Sequence, residues 1–524
     1  MLKRQKFPFS VFILILLLST TFFVLPSIGG VIFLSPDETA VAVAGRSLSE
    51  NGTFRVTSDL LEKYPWAHPR SWVTQNSYIV PVGFLGMPLI ASGLWNLARE
   101  YGLALFTPLL VLSVLFPLWG FTRSFGRIGQ MAAIVGWMTF PTVILYANRG
   151  LFPNLVVVCL TIWAAWLVQR PRSDIRGPTS LRIIIAGALA GLALIIRPVE
   201  AVWVLPWILV AYSTTKELKN KRTKEHIQSA IYFLIPLLIV CAIGAGLAWK
   251  TYGSPFAIGY QLRDTVTSSN VEQNFQLPTS SFQLPALPFG FHPRNVWFNV
   301  HSYIIEYLAP WFILAVVVLT LTWEDKRARI WIYLSAWTLA ILALIYGQGL
   351  YQDHVQPNFV SLANSFLRYM IPIAAIGAIS LGWFAGYLNK RFAKKGIVVA
   401  LIITIILGAF GIWTAFARDD EGLLQNRVEL VRYYSIRSQA QEWLDEGAII
   451  LSDRSDKIFF PAFHAVSPMP NEERVKELSE TSGHDVALFI RTLDEERAEV
   501  WKDADLELVL LFTSGNEGLY LVQK

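Results

Sequence analysis

The 524 residues are 54% hydrophobic and only 16% charged, and the mean hydropathy is positive, +0.45. A soluble domain carries roughly 25% charged residues, so much of this chain has a solvent other than water. The formal net charge of +6 is not the footprint of a nucleic-acid binder, because the basic excess sits in short stretches between apolar runs and the chain turns acidic after Arg418.

Lys3, Arg4 and Lys6 precede an apolar run from Phe7 to Leu25. The run is too long for the core of a signal peptide and no small-residue cleavage site follows, so it reads as an uncleaved first span. Further runs at Ile231–Trp249, Ile304–Thr322, Ile371–Leu388 and Ile397–Trp413 are each about long enough to cross a hydrocarbon core of roughly 30 Å as a helix. Basic clusters lie at Lys3–Lys6, Arg123–Arg127, Arg170–Arg182, Lys216–Lys224, Lys326–Arg329 and Lys390–Lys395. Placing all of them in the cytoplasm predicts about eleven spans, an inside N-terminus and an outside C-terminus. Outside then lie a first loop Ser35–Tyr101, tips at Arg149 and Arg197–Glu200, a second large loop Thr251–Tyr303, Gly347–Phe366, and everything after Ala415. Val80–Leu97 is apolar enough to span, but counting it would invert every later basic loop. It reads instead as a helix lying in, or partly entering, the outer interface.

The chain therefore divides into a transmembrane domain, 1–415, and a small extracytoplasmic α/β domain, 416–524. In the latter, Gln425–Asp445 reads as a polar helix, Ala448–Ser452, Val486–Ile490 and Leu506–Leu511 as buried strands, and Glu472–Glu480 and Asp494–Trp501 as amphipathic helices. Within it, Leu451–Asp456 (LSDRSD) lacks the Gly-rich turn of a nucleotide site, so an accessory or acceptor-recruiting module is expected. Cys159 and Cys241 both fall in apolar runs, which excludes a disulfide framework, and two cysteines alone make no zinc site. His68, His292, His301 and His354 share no metal-ligand spacing. Asn51-Gly52-Thr53 matches a glycosylation acceptor pattern short enough to be chance.

The first outer loop opens on Ser35-Pro36-Asp37-Glu38. Pro36 breaks the apolar helix, and Thr39–Leu48 has helical spacing that ends at Asn51-Gly52. Two adjacent carboxylates at a lipid–water boundary are costly unless paired or used; equally, acids at a helix start complement its dipole. Both readings stay open on these residues alone. Trp66 and His68 lie in an aromatic stretch, YPWAHPRSW, that could stack on a sugar ring. Trp66 and Trp72 read more readily as membrane-interface anchors. The second large loop carries Pro278, Pro285, Pro288 and Pro293; a loop of that length is either a lid over a groove or a passive excursion.

Five segments in order carry a resemblance: SPDETAVAVAGRSLSENGTF from Ser35, YANRGLFP at Tyr146–Pro153, GLALIIRPVEAVWVLP at Gly191–Pro206, YGSPFAIGY at Tyr252–Tyr260 and FLRYMIPI at Phe366–Ile373. Together they resemble the GT-C glycosyltransferases, most closely the family 39 and aminoarabinose-transferase-like branch, over about residues 1–415. The resemblance implies a GT-C-like helical membrane domain and transfer of a sugar from a polyprenyl-phosphate donor to a lipid, glycan or protein acceptor on the outer face. It places Asp37 at the active centre as general base, since partial desolvation makes a carboxylate a stronger base near neutral pH. Glu38 would orient the acceptor or contact a metal. The leaving lipid phosphate calls for cations, and Arg offers fixed bidentate geometry. Arg368, beside Tyr369, is the first candidate, followed by Arg149, Arg197 and Arg263, with His354 nearby; the plainer role for each is a snorkelling anchor.

Two departures matter. Many relatives carry an acidic residue where this chain reads Leu151-Phe152-Pro153-Asn154. Asn154 could still contact a sugar hydroxyl or a metal through its amide oxygen, so a divalent cation stays open as a cofactor. The Lys-Pro of the aminoarabinose branch is replaced by Val80-Pro81, which argues against that substrate. Two rival classes remain: a transporter or flippase, which would place ionisable groups near the bilayer midplane in symmetric halves, and a non-catalytic GT-C-like scaffold.

Overall fold

The computed structural model describes residues 9–28, 32–169, 179–214, 223–262, 289–323, 326–351, 356, 359–493 and 495–523. The cluster Lys3–Lys6, the stretch Lys216–Arg222, much of Arg170–Arg182, and Pro278, Pro285 and Pro288 lie outside them. The chain is mainly helical and forms two compact units. One combines Met1–Ser27, Leu105–Ile243 and Glu272–Gln425; the other combines Ile28–Ala104, Gly244–Val271 and Asn426–Lys524. Asn426–Lys524 thus shares a unit with the whole of the first outer loop, a grouping of distant segments that a linear cut near 416 does not express.

The first unit holds most of the apolar helices of the membrane-spanning kind, two of which run on into the second. By length and composition, four helical stretches among the described residues qualify: Gly86–Met138, His226–Tyr252, Arg329–Tyr346 and Pro372–Ala417. Two bent pairs bring the number to six, and Phe12–Phe22, Ser180–Ile196 and Pro198–Ser213 are apolar but shorter. The expectation of about eleven came from the basic clusters, and several of the apolar runs do not form one straight helix. Phe7–Leu25 yields a helix at Phe9–Ser19 and a 3-10 turn at Thr20–Phe22. There Ser19, Thr20 and Thr21 hydrogen-bond back to the carbonyls of Ile15, Leu17 and Leu18, local bonds that tighten and bend a helix end. Ile304–Thr322 bends by 91° between Pro293–Tyr307 and Ala309–Thr322, where Pro310 lacks the N–H that would continue the ladder.

The stretch Pro372–Ala417 is two helices. Ala393 is left-handed, φ 47°, and a Cβ on Gly396 would strike the carbonyl of Leu388. In a straight helix those residues would be about 12 Å apart, so the chain reverses inside the basic cluster Lys390–Lys395. Arg99, φ 51°, makes a similar break: a Cβ on Gly102 would strike the carbonyl of Leu94. The helix before it, from Gly86 to Leu97, is about 18 Å long, too short for a core of about 30 Å. It buries Met87, Ala91 and Trp95 and exposes Leu97, an amphipathic pattern that suits a surface helix.

Small residues set a close helix contact in this unit. A Cβ on Gly382 would meet the Cβ of Ala133 at 2.7 Å and the carbonyl of Gly129 at 2.7 Å, as expected where backbones approach within a membrane. Gly382→Leu is therefore expected to cost about 1–3 kcal/mol through overpacking. Gly246→Leu, with nothing within 4 Å of the point where its Cβ would stand, should leave stability unchanged. Thermal unfolding of both variants in detergent, read by monodispersity, checks the contrast.

In the second unit the first outer loop builds a three-stranded antiparallel sheet from β1 (Val56–Thr57), β2 (Trp72–Gln75) and β3 (Tyr78–Pro81), in the order β1-β3-β2. The C-terminal segment builds a five-stranded sheet from β4 (Ile449–Ser452), β5 (His464–Val466), β6 (Val486–Arg491), β7 (Glu507–Ser514) and β8 (Glu517–Gln523), ordered β5-β4-β6-β8-β7. Strands β5, β4 and β6 run parallel, and β8 and β7 join antiparallel. The period of two divides β4 and β6 between two cores. Ile450, Ala487 and Phe489 pack with Ala40, Ala44, Trp72 and Phe459; Ile449, Leu451, Val486 and Leu488 pack with Leu60, Tyr64, Val475 and Leu478.

The expected helices appear at Leu423–Trp443, Glu472–Thr481 and Glu495–Asp503. Leu506–Leu511 is not a buried strand: β7 is the sheet edge and Leu510 is 47% exposed. Nor is Trp72 an interface anchor. It is fully buried, edge-on to Phe460 at 5.5 Å.

Candidate active site

The carboxylate pair sits in the second unit. Ser35 is extended (φ −128°, ψ 142°) and caps the helix Pro36–Asn51, its Oγ accepting from the Asp37 N–H at 3.2 Å. Pro36 stands at the first helical position, where its missing N–H costs nothing, and Gly52, φ 69°, ends the helix. Asp37 and Glu38 therefore do begin a helix, as the plainer reading required. Asp37 has a second attachment. It is half-buried, and Ser71 Oγ donates to its Oδ1 at 2.6 Å. Ser71 is left-handed, φ 63°, unusual for a residue with a Cβ and common where function constrains a backbone. Glu38 is 2% exposed, an unusual depth for a carboxylate.

His68 and Trp66 belong to the same loop but have structural attachments. The His68 carbonyl accepts from the Ser467 N–H at 3.2 Å and its ring Nδ1 is 3.0 Å from the Pro69 carbonyl. Trp66 is half-buried against Tyr64, with the Arg474 guanidinium 5.1 Å from its ring. The YGSPFAIGY segment holds the end of β3: Tyr252 Oη donates to the carbonyls of Pro81 and Gly83 at 2.8 and 2.9 Å, and the Tyr260 N–H donates to the Val82 carbonyl.

The cations gather in the first unit. Helices Pro141–Asn148 and Pro153–Gln169 meet at 113°, and the turn between them is fixed by buried Asn148, whose amide donates to the Thr21 carbonyl at 2.7 Å and accepts from the Leu25 N–H at 3.1 Å. This turn carries Arg149 and Phe152. Arg149 lies over the Phe152 ring at 4.6 Å, and Arg368 lies over the same ring at 4.7 Å. Arg368 stands on the short helix Ser365–Tyr369, capped by Asn364, and donates to Ser365 Oγ at 2.9 Å. Tyr369 lies beside it: its ring is 5.5 Å from Arg368 and 4.9 Å from Arg197, and it stacks on Tyr346 at 4.1 Å.

Arg149, Arg368, Tyr369 and Arg197 thus form one chain of guanidinium groups and rings. Arg197 is committed within it. It pairs with buried Glu200 at 3.0 Å and donates to Tyr346 Oη at 2.9 Å, while Glu200 also accepts from Trp203. That network favours a structural role for Arg197 over a ligand role. Asn154 is 4% exposed in the first turn of Pro153–Gln169, and neither atom of its amide finds a hydrogen-bond partner among the described residues. Arg263 and His354 lie outside the described residues. Among those residues, no three His, Cys, Asp or Glu side chains gather as a metal-ligand set.

Ser71, Phe152 and Tyr346 escaped sequence reasoning as site residues. Phe152 lay inside the YANRGLFP segment, but nothing in a linear motif says that two distant arginines share its ring.

No family model matches the chain, and no curated protein matches it in sequence. Solved structures do match. ArnT from Cupriavidus metallidurans bound to undecaprenyl phosphate aligns with a TM-score of 0.55 at 10% identity, covering 97% of each chain. Its apo state gives a TM-score of 0.52 at 11% identity over the same shares. The fold is that of the GT-C glycosyltransferases. An oligosaccharyltransferase of Archaeoglobus fulgidus in the apo form also aligns, with a TM-score of 0.45 at 10% identity over 92% of this chain and 69% of that one. With spanning-type helices in that fold, the chain is an integral membrane protein.

Proposed function

We propose that this chain is an inverting membrane glycosyltransferase that moves a sugar from a polyprenyl-phosphate donor to an acceptor on the extracytoplasmic face. An acceptor hydroxyl or amine attacks the anomeric carbon, and Asp37 takes its proton. A bond from acceptor to anomeric carbon forms as the bond from that carbon to the phosphate oxygen breaks. The electron pair leaves with the polyprenyl phosphate. Arg368 and Arg149 meet the charge that grows on that phosphate, and the Asn154 amide contacts a sugar hydroxyl. The acceptor is a lipid, glycan or protein.

The observation that carries this reading is the pair of guanidinium groups over one Phe152 ring. Guanidinium groups meet a phosphate through charge-assisted, bidentate bonds, and two of them on one ring suit a doubly charged lipid phosphate. The ArnT structure of like fold holds undecaprenyl phosphate, which supports a polyprenyl phosphate as ligand here. Asn154 in place of an acidic residue favours a second reading, a non-catalytic scaffold. The two readings part in one assay: purified protein is incubated with radiolabelled polyprenyl-phosphate sugars and membrane-extract acceptors. Transfer of label to acceptor supports the enzyme; label retained on every lipid overturns it.

The orientation follows from the basic clusters. A protease-cleavable tag placed after Lys524 should be removed from intact cells by external protease. Protection of the tag would overturn the topology.

A further inference from the structure

We infer that the Arg454–Lys457 turn of the C-terminal sheet positions Asp37, so that this domain is part of the catalytic apparatus and not only an accessory module. The inference rests on Asp37 as general base. Two serines hold Asp37 at opposite ends: Ser35 Oγ accepts from its N–H, and Ser71 Oγ donates to its carboxylate. The residue immediately before each serine is held by the same turn. Lys457 Nζ donates to the Leu34 carbonyl at 2.9 Å. Asp456 accepts from the Arg70 N–H at 2.8 Å through Oδ2, and from Arg70 Nε and Nη2 at 2.8 and 2.7 Å through Oδ1. Arg70 Nη2 also donates to the Arg454 carbonyl.

Asp456 is 1% exposed. Burying a carboxylate is costly, and three N–H donors offset that cost only in one geometry. An apolar contact would cover this surface with less demand on register. The ion pair fixes register instead: it holds Arg70 by backbone and side chain at once, and so fixes where Ser71 begins. Ser71 then needs its left-handed backbone, φ 63°, with its carbonyl accepting from the Val82 N–H at 2.9 Å, to bring Oγ to Asp37. The turn overlaps the LSDRSD segment (Leu451–Asp456), whose second carboxylate, Asp456, is spent on Arg70.

Arg70, Ser71, Asp456 and Lys457 are positioning residues in this account. A base displaced by about 1 Å can lose on the order of a hundredfold in rate. The test uses full-length purified protein and counts only folded molecules. Asp456→Asn strips a buried ion pair and is expected to cost folding, so Lys457→Met and Ser71→Ala carry the test. Each should lower kcat about tenfold or more while the KM for the polyprenyl-phosphate donor stays put, and Lys457→Arg should restore most of the rate. Asp37→Asn is assayed beside them. If it is inactive while Ser71→Ala and Lys457→Met keep kcat within about twofold of wild type per folded molecule, the positioning inference fails alone. If Asp37→Asn is fully active, the general-base reading fails and takes the inference with it.

Discussion

Asp37→Asn is expected to abolish transfer while leaving expression and folding intact. The amide keeps the shape of the carboxylate and can still accept from Ser71 Oγ, whose bond to Asp37 Oδ1 is 2.6 Å. It cannot take the proton of the attacking acceptor. Removing a general base costs typically about 10²–10⁴-fold, and the loss should appear in kcat, because the proton is transferred only as the bond to the anomeric carbon forms. Glu442→Gln is the matched control: Glu442 is an exposed carboxylate on the helix Leu423–Trp443, and its loss should do little. Equal loss from both variants would sink the role assigned to Asp37.

Arg368→Ala should cost about 10²–10³-fold in kcat/KM, the range for removing a preorganised donor aimed at charge that develops in the transition state. Arg368→Lys should recover part of this and not all, because an ammonium supplies charge without the planar fork. A snorkelling anchor would behave differently. Its removal would change insertion or yield, leave the rate per folded molecule unchanged, and be fully rescued by Lys. Arg149→Ala is expected to be weaker than Arg368→Ala but of the same kind, since both guanidinium groups lie over Phe152. Wild-type kinetics per folded molecule in Arg368→Ala would remove this residue from the donor site.

Much of the helical architecture was legible because burying apolar residues along a spanning helix leaves long uninterrupted runs. The helix after Pro36 was legible from its start and stop residues, the helices of the C-terminal domain from their polar or amphipathic spacing, and its inner strands from short apolar runs. The reversal at Ala393 fell inside a basic cluster that the charge pattern had already placed between two spans. What sequence hid was geometry created by contacts between distant residues. Pro310 marks a break beside Leu308 but not its angle of 91°, and nothing around Arg99 announces the turn there. Strands β5 and β8 are short or carry weak alternation, and β7 reads as buried because its apolar residues are many, although it lies at an edge. The bending at Ser19–Thr21 comes from hydroxyls that satisfy local carbonyls, a choice that hydropathy does not register.

The candidate site divides the same way. Asp37, Arg149 and Arg368 were singled out as candidates by segments that resemble the GT-C glycosyltransferases, at the ends of apolar runs where polar residues stand out. Arg197 was found for the same reason, yet the structure gives it a buried acidic partner in Glu200. Trp66 drew notice as an aromatic in an outer loop, and the structure packs it beside Tyr64 and Arg474. Ser71 could be recognised only once its neighbour Arg70 was seen bound to Asp456, 386 residues away in sequence.

The most direct measurement of the central claim is the release of polyprenyl phosphate by purified protein from a defined, doubly labelled polyprenyl-phosphate sugar, followed in step with glycosylated acceptor. Wild type should release one lipid phosphate for each sugar transferred, and Asp37→Asn should release neither product above background. Sugar that stays on its lipid with the wild-type protein, or equal release by both forms, would contradict the account.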